Sequence, residues 1–125
     1  MDAAAVVTEL WDRIAARDWL GLGRLLADDV VLELPASGEL VRGRANVVAV
    51  NAEYPEGWSI EVLNVVGAGD QVASEVEVPF AGVGVFRAAS FWTVREGRVV
   101  HGREYWTLLG ADDAPAWREQ YTERL

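Results

Sequence analysis

Few residues in this chain are placed to do chemistry, and Glu104 leads them. It stands in Gly102-Arg103-Glu104-Tyr105-Trp106, part of a stretch whose residues alternate as in a strand. On the covered face of a sheet its carboxylate would lose water and its pKa would rise. That is how a weak acid becomes a working base near neutral pH. The plain alternative is a structural acid, paired with Arg87 or capped by Trp106 and Asn51. Arg87 itself can hold an anionic ligand or enolate through its planar fork, or sit solvated at its strand end. Asn51 shares a helical face with Val47 and Tyr54. Its amide needs a partner, either a ligand or a backbone group. Glu75 and Glu77 look like paired carboxylates, but period two points them away from Val76 and Val78, as ordinary charge partners for groups such as Arg103.

The missing residue types narrow the chemistry further. There is no cysteine, so disulfides, thiol nucleophiles and thiolate metal sites are all excluded. All 11 basic residues are arginine, which excludes Schiff-base chemistry through a side-chain amine. His101 is the only histidine, and no loop gathers the acids, so neither a metal nor another cofactor is expected. A net charge of −9, with no run of arginines interleaved by aromatics, opposes nucleic acid as a partner. No stretch approaches the length of a membrane span, and the acidic start of the chain is unlike a signal peptide. A cytoplasmic protein of one domain, residues 1–125, is the expectation.

The elements that must position these residues follow from periodicity. Ala3, Val7, Leu10 and Ile14 repeat at helical spacing, with Trp11 at the edge of the stripe. Asp18 can cap a second, shorter helix carrying Trp19, Leu22 and Leu26. Val30 to Leu34 reads as a short strand ended by Pro35. Gly43 to Glu53 contains a β-branched run, yet Val47, Val50, Asn51 and Tyr54 share a helical face and Pro55-Glu56-Gly57 stops it. A third helix is predicted there. From Ser59 the period becomes two, with strands at 60–67, 71–80, 85–95 and 98–109. Asp113 and Pro115 open a short amphipathic helix bearing Trp117 and Tyr121.

Glu96-Gly97 is a two-residue hairpin turn and sets a register. With Arg95 opposite Arg98, regular pairing puts Trp92 against His101, Ser90 against Arg103 and Ala89 against Glu104. One face then holds Arg87, Ala89, Phe91, Gly102, Glu104 and Trp106, joined by Ser74, Val76 and Val78. The other holds Ala88, Ser90, Trp92, His101, Arg103 and Tyr105, with Glu75 and Glu77. A bulge in the 72–80 strand would instead bring the two glutamates inward. An antiparallel sheet can simply leave that outer face in solvent; aromatics and arginine favour interfaces, so Trp92, His101, Arg103 and Tyr105 suggest instead a homodimer through it.

Helix, helix, short strand, helix and a four-strand meander resemble the nuclear-transport-factor-2-like fold, in particular its SnoaL-like branch. The residues that carry the resemblance are WDRIAARDWLGLGRLLADDVVLELP at 11–35, Gly43-Arg44, and VREGRVVHGREYW at 94–106. It spans nearly the whole chain and implies an α+β fold: a cone-like barrel of three N-terminal helices on a curved, mainly antiparallel sheet, with a short C-terminal helix. Such a fold implies an apolar pocket. Trp11, Leu32, Leu34, Asn51, Tyr54, Val76, Arg87, Phe91 and Trp106 are its expected wall, with Glu104 as the catalytic candidate.

The resemblance specifies fold more than activity. Limonene epoxide hydrolases have an acid before an aromatic pair, as in Glu104-Tyr105-Trp106, but also need an arginine and a second acid where Val76 and Val78 stand. Ketosteroid isomerases place an aspartate base before a proline, where this chain has Leu34-Pro35. SnoaL-like polyketide cyclases use a single cavity acid, which Glu104 matches. The implied function is a cofactor-independent cyclase or isomerase acting on a small hydrophobic or aromatic molecule. A non-catalytic binder or sensor, and an interaction domain with a vestigial pocket, stay open.

Overall fold

The computed structural model describes residues 1–125. Helix α1 spans Ala3–Ala15, and Asp2 caps it by accepting from the Ala5 amide at 2.8 Å. Its stripe of Val6, Val7, Leu10, Trp11 and Ile14 is buried. Asp18 caps α2, Trp19–Arg24, accepting from the Gly21 amide at 2.9 Å. The second helix is shorter than predicted: Leu26 opens strand β1, Leu26–Leu34. Strand β2, Glu39–Arg42, is an edge strand of four residues with no buried position. Its pattern carries no alternation, so the sequence reading has no strand there. Helix α3, Arg44–Ala52, begins after Gly43, whose φ of 89° suits glycine. Packing and the Pro55 stop outweigh the strand propensity of its VVAV run.

Strands β3 (Glu61–Ala68), β4 (Gln71–Phe80), β5 (Gly84–Arg95) and β6 (Arg98–Leu108) form the meander. The sheet runs β2-β1-β6-β5-β4-β3, with β1 parallel to β6 and every other pair antiparallel. The C-terminal element is a 3-10 helix, Ala116–Tyr121, that leaves Trp117 and Tyr121 in solvent. The predicted amphipathic helix has no apolar partner to turn toward. The main core lies between α1, α2, α3 and the concave face of the sheet, with Leu22, Val47, Val72, Val76, Ala88, Val94 and Val99 among its members.

One register expectation is corrected. Arg95 does oppose Arg98, and Val94 opposes Val99, but Thr93 then pairs with His101, leaving Val100 as an extra residue in β6. This bulge slides β5 by one residue against the rest of β6, so Ser90 rather than Ala89 faces Glu104. Because side chains alternate, the slip turns β5 over. Ala88, Ser90, Trp92 and Val94 are buried on the concave face, whereas Phe91 is 45 % exposed on the outer face. Arg87 goes outward with it. The β4 and β6 assignments stand: Ser74, Val76, Val78 and Glu104 are buried, and the β4–β5 ladder is unbroken, so Glu75 and Glu77 stay outside.

Candidate active site

A cavity of about 450 Å³ opens between the concave sheet face, the C-terminal half of α1, α3 and the β1–β2 hairpin. Its wall is made by Trp11 and Ile14 of α1, Leu32 and Leu34 of β1, Val41 of β2, and Val50, Asn51 and Tyr54 from α3 and its end. Trp58, Ile60, Val78, Phe80, Phe86 and Trp106 complete it, with Ala36, Ser37 and Glu39 in the hairpin. Glu104 is the one carboxylate of this wall contributed by the sheet's buried face, and it is 8 % exposed. Its Oε2 accepts a hydrogen bond from the Trp106 indole at 3.0 Å. Loss of water pushes the carboxyl up to about 7, and the Trp106 donor offsets only part of that push. No arginine lines the cavity. Near neutral pH the group is therefore poised to gain or lose a proton in surroundings that do little to solvate its charge.

The wall residues expected from sequence divide into those the structure gathers here and those it does not. Trp11, Leu32, Leu34, Asn51, Tyr54 and Trp106 line the cavity beside Glu104. Val76 is fully buried in the core beneath the wall and does not reach the space. Phe91 and Arg87 are corrections: both lie on the outer face because of the Val100 bulge. Arg87 donates from Nε to Glu77 at 3.1 Å, and Phe91 meets Tyr105 edge to face at 6.3 Å. Trp92 is corrected in the opposite sense, from outer face to core. His101 remains outside, 2.6 Å from Glu33 on β1. Arg103 lies 5.5 Å from the Phe91 ring.

Asn51 donates one amide N–H to the Val47 carbonyl at 2.8 Å, which ties it to the helix backbone and leaves its second N–H as a donor. Tyr54, half exposed, stands at the rim against Phe80, their rings 5.8 Å apart. Sequence reasoning missed Phe86, because the slipped register put its strand neighbours inward instead. It missed Trp58, Glu39 and Val41 because no periodic pattern marks the loop and the short edge strand that carry them. The β6 alternation was a sufficient signal for Glu104 and Trp106.

Behind the cavity a polar row crosses the concave face: Ser74, Ser90 and Glu104 stand opposite one another on β4, β5 and β6. The Ser74 hydroxyl accepts from the Trp11 indole at 3.1 Å and the Trp92 indole at 2.8 Å. The two rings pack edge to face with centroids 6.0 Å apart. Ser74 thus fixes the orientation of Trp11, a wall residue, from beneath. Ser90 is buried and its hydroxyl has no partner. No group of three or more His, Cys, Asp or Glu side chains gathers anywhere in the chain.

The fold has close counterparts among solved structures. A protein of Kribbella flavida provisionally named a ketosteroid isomerase is 29 % identical, covering 98 % of this chain and 89 % of its own, with a TM-score of 0.91. A protein from Burkholderia xenovorans described as nuclear-transport-factor-2-like and of unknown function is 27 % identical, covering 97 % and 93 %, at 0.80. A limonene-epoxide-hydrolase-like epoxide hydrolase of M. tuberculosis shares the fold at 18 % identity, covering 84 % and 82 %, at 0.72. No functionally curated protein matches the sequence. The family model of the SnoaL-like domain matches residues 7–102, from the first helix to the strand that holds Glu104, and the chain belongs to that family.

Proposed function

We propose that this protein is a cofactor-independent proton-transfer enzyme of the cyclase or isomerase type, working on a small hydrophobic molecule held in the cavity. The observation that carries this reading is Glu104: a carboxyl held near pH 7 by burial, inside a space large enough for a ligand and walled by apolar groups. Glu104 takes a proton from a carbon next to a carbonyl, the C–H electrons moving into an enolate. Returning that proton to another carbon isomerises the substrate; attack of the enolate carbon on a second carbonyl closes a ring, that carbonyl's π electrons passing to its oxygen, which takes the proton back from Glu104. Tyr54 and Asn51 are the wall groups offered to orient the carbonyl. The relatives named as isomerase and epoxide hydrolase support small-molecule chemistry in this fold.

Hydrogen–deuterium exchange tests the base directly. Hydrophobic ketones incubated with the protein in deuterated buffer should exchange their α-protons, followed by NMR. Glu104→Gln should slow exchange by roughly 10²–10⁴-fold while leaving ketone affinity near its original value. Equal exchange in both proteins would rule Glu104 out as the base. Ketone binding without exchange in either would leave a binder or sensor, a reading supported by the lack of a second buried carboxylate beside Glu104. The open cavity speaks against a vestigial pocket plugged by its own tryptophans.

The outer sheet face is proposed to join two copies. Phe91 and Tyr105, both nearly half exposed, form an edge-to-face pair with Arg103 beside them, a composition typical of interface centres.

A further inference from the structure

The charges around the cavity constrain its ligand. Facing the space, the ionisable side chains are Glu104 from β6, Glu39 from β2 and Tyr54 after α3. No arginine or histidine faces it, and α1 contributes only Trp11 and Ile14. An anionic ligand would meet two carboxylates and no counter-charge. A neutral ligand leaves ionised Glu104 buried with a single indole donor, a costly arrangement. Six aromatic rings also line the space: Trp11, Tyr54, Trp58, Phe80, Phe86 and Trp106. Aromatic faces attract cations, most strongly where water is excluded. One of these rings already does so within the chain. The Arg17 guanidinium lies 3.4 Å from the Trp58 ring centroid, held there by Glu56 at 2.8 Å and the Trp58 carbonyl at 2.6 Å. That cation is neutralised by Glu56 and offers nothing to a ligand in the cavity.

We propose that the cavity's ligand is a hydrophobic amine bound as its cation, the ammonium paired with ionised Glu104 and enclosed by the aromatic wall. This rests on the cavity being a small-molecule site, and it extends the proposed chemistry. An amine that also carries a carbonyl brings with it the counter-charge that the wall lacks. When the substrate C–H bond breaks and the proton moves to Glu104, the negative charge passes from carboxylate to enolate oxygen. The ammonium balances it before and after the transfer.

Three probes of nearly the same shape separate the possibilities: N,N-dimethylbenzylamine, isobutylbenzene and phenylacetate, titrated against tryptophan fluorescence at about pH 8. The amine should bind roughly tenfold or more tightly than isobutylbenzene, with phenylacetate weakest. Its affinity should fall as pH drops and Glu104 takes up a proton, while that of isobutylbenzene stays level or rises. Glu104→Gln should erase the amine's advantage and retain isobutylbenzene binding. If isobutylbenzene or phenylacetate binds as tightly as the amine, the amine assignment is overturned while the cavity stands as a binding site. If none of the three binds, the assignment and the small-molecule reading fall together.

Discussion

Glu104 and the two serines beside it set opposite demands on stability. The folded chain raises the Glu104 carboxyl from its ordinary 4.5 to about 7. Between those values the folded state binds a proton that the unfolded state has released, so stability falls as pH rises through this window. Ionising the buried group costs about 3 kcal/mol once pH exceeds 7. Glu104→Gln should therefore melt at a higher temperature than the parent at pH 8, with the difference shrinking toward pH 5, by calorimetry. A constant difference at both pH values would contradict the raised pKa. The serines should respond in opposite senses. Ser74→Ala strips two buried indole donors of their acceptor and should cost roughly 2–4 kcal/mol. Ser90→Ala removes a buried hydroxyl without a partner and should be neutral or stabilising by about 1 kcal/mol. Urea unfolding of both variants checks the contrast.

At the scale of elements, the hairpin β5–β6 decides which residues reach the cavity. Glu96 and Gly97 both take positive φ, 52° and 74°, as a tight two-residue turn requires. The Val100 bulge then brings Trp92 inward, where its ring crosses the backbone at Gly102. A Cβ on Gly102 would stand 2.5 Å from Trp92 Cζ3 and 3.1 Å from Leu32 Cδ1. Both neighbours are buried and Trp92 is tied to Ser74, so neither can step aside cheaply. Gly102→Ala should cost roughly 1–3 kcal/mol by overpacking. It should also lower the near-ultraviolet circular dichroism of the Trp11–Trp92 pair. A variant as stable as the parent, with unchanged tryptophan signal, would mean that the ring is less confined than its contacts imply.

The whole molecule presents two unlike faces of one sheet. The concave face is covered by helices and holds the cavity. The convex face is open, with the Arg87–Glu77 ion pair and the polar His101–Glu33 contact around the Phe91–Tyr105 pair. A net charge of −9 repels copies at long range, so an association through this face must rest on its aromatic centre. Phe91→Asp should weaken dimerisation by roughly tenfold or more in sedimentation equilibrium without altering the fold. An unchanged association constant would remove the convex face as the contact. No helix is long and apolar enough to cross a membrane.

Local chemistry made much of this legible from the chain itself. The Asp18 cap, helical stripes, the Glu96-Gly97 turn and period-two strands are written in neighbouring residues, so most of the order of elements and the inward aim of Glu104 and Trp106 could be read directly. The short β2 edge could not, because it buries nothing and so carries no alternation. The orientation of β5 could not either. A bulge is one uncompensated residue whose position depends on where β1 meets β6 and on how Trp92 fits over Gly102, contacts between residues far apart in sequence. That single residue turned Arg87 and Phe91 to the outer face and put Trp92 and Ser90 in the core. It left Glu104 without a cation, and the reach of its charge, and with it the nature of the ligand, is a property of the assembled tertiary structure.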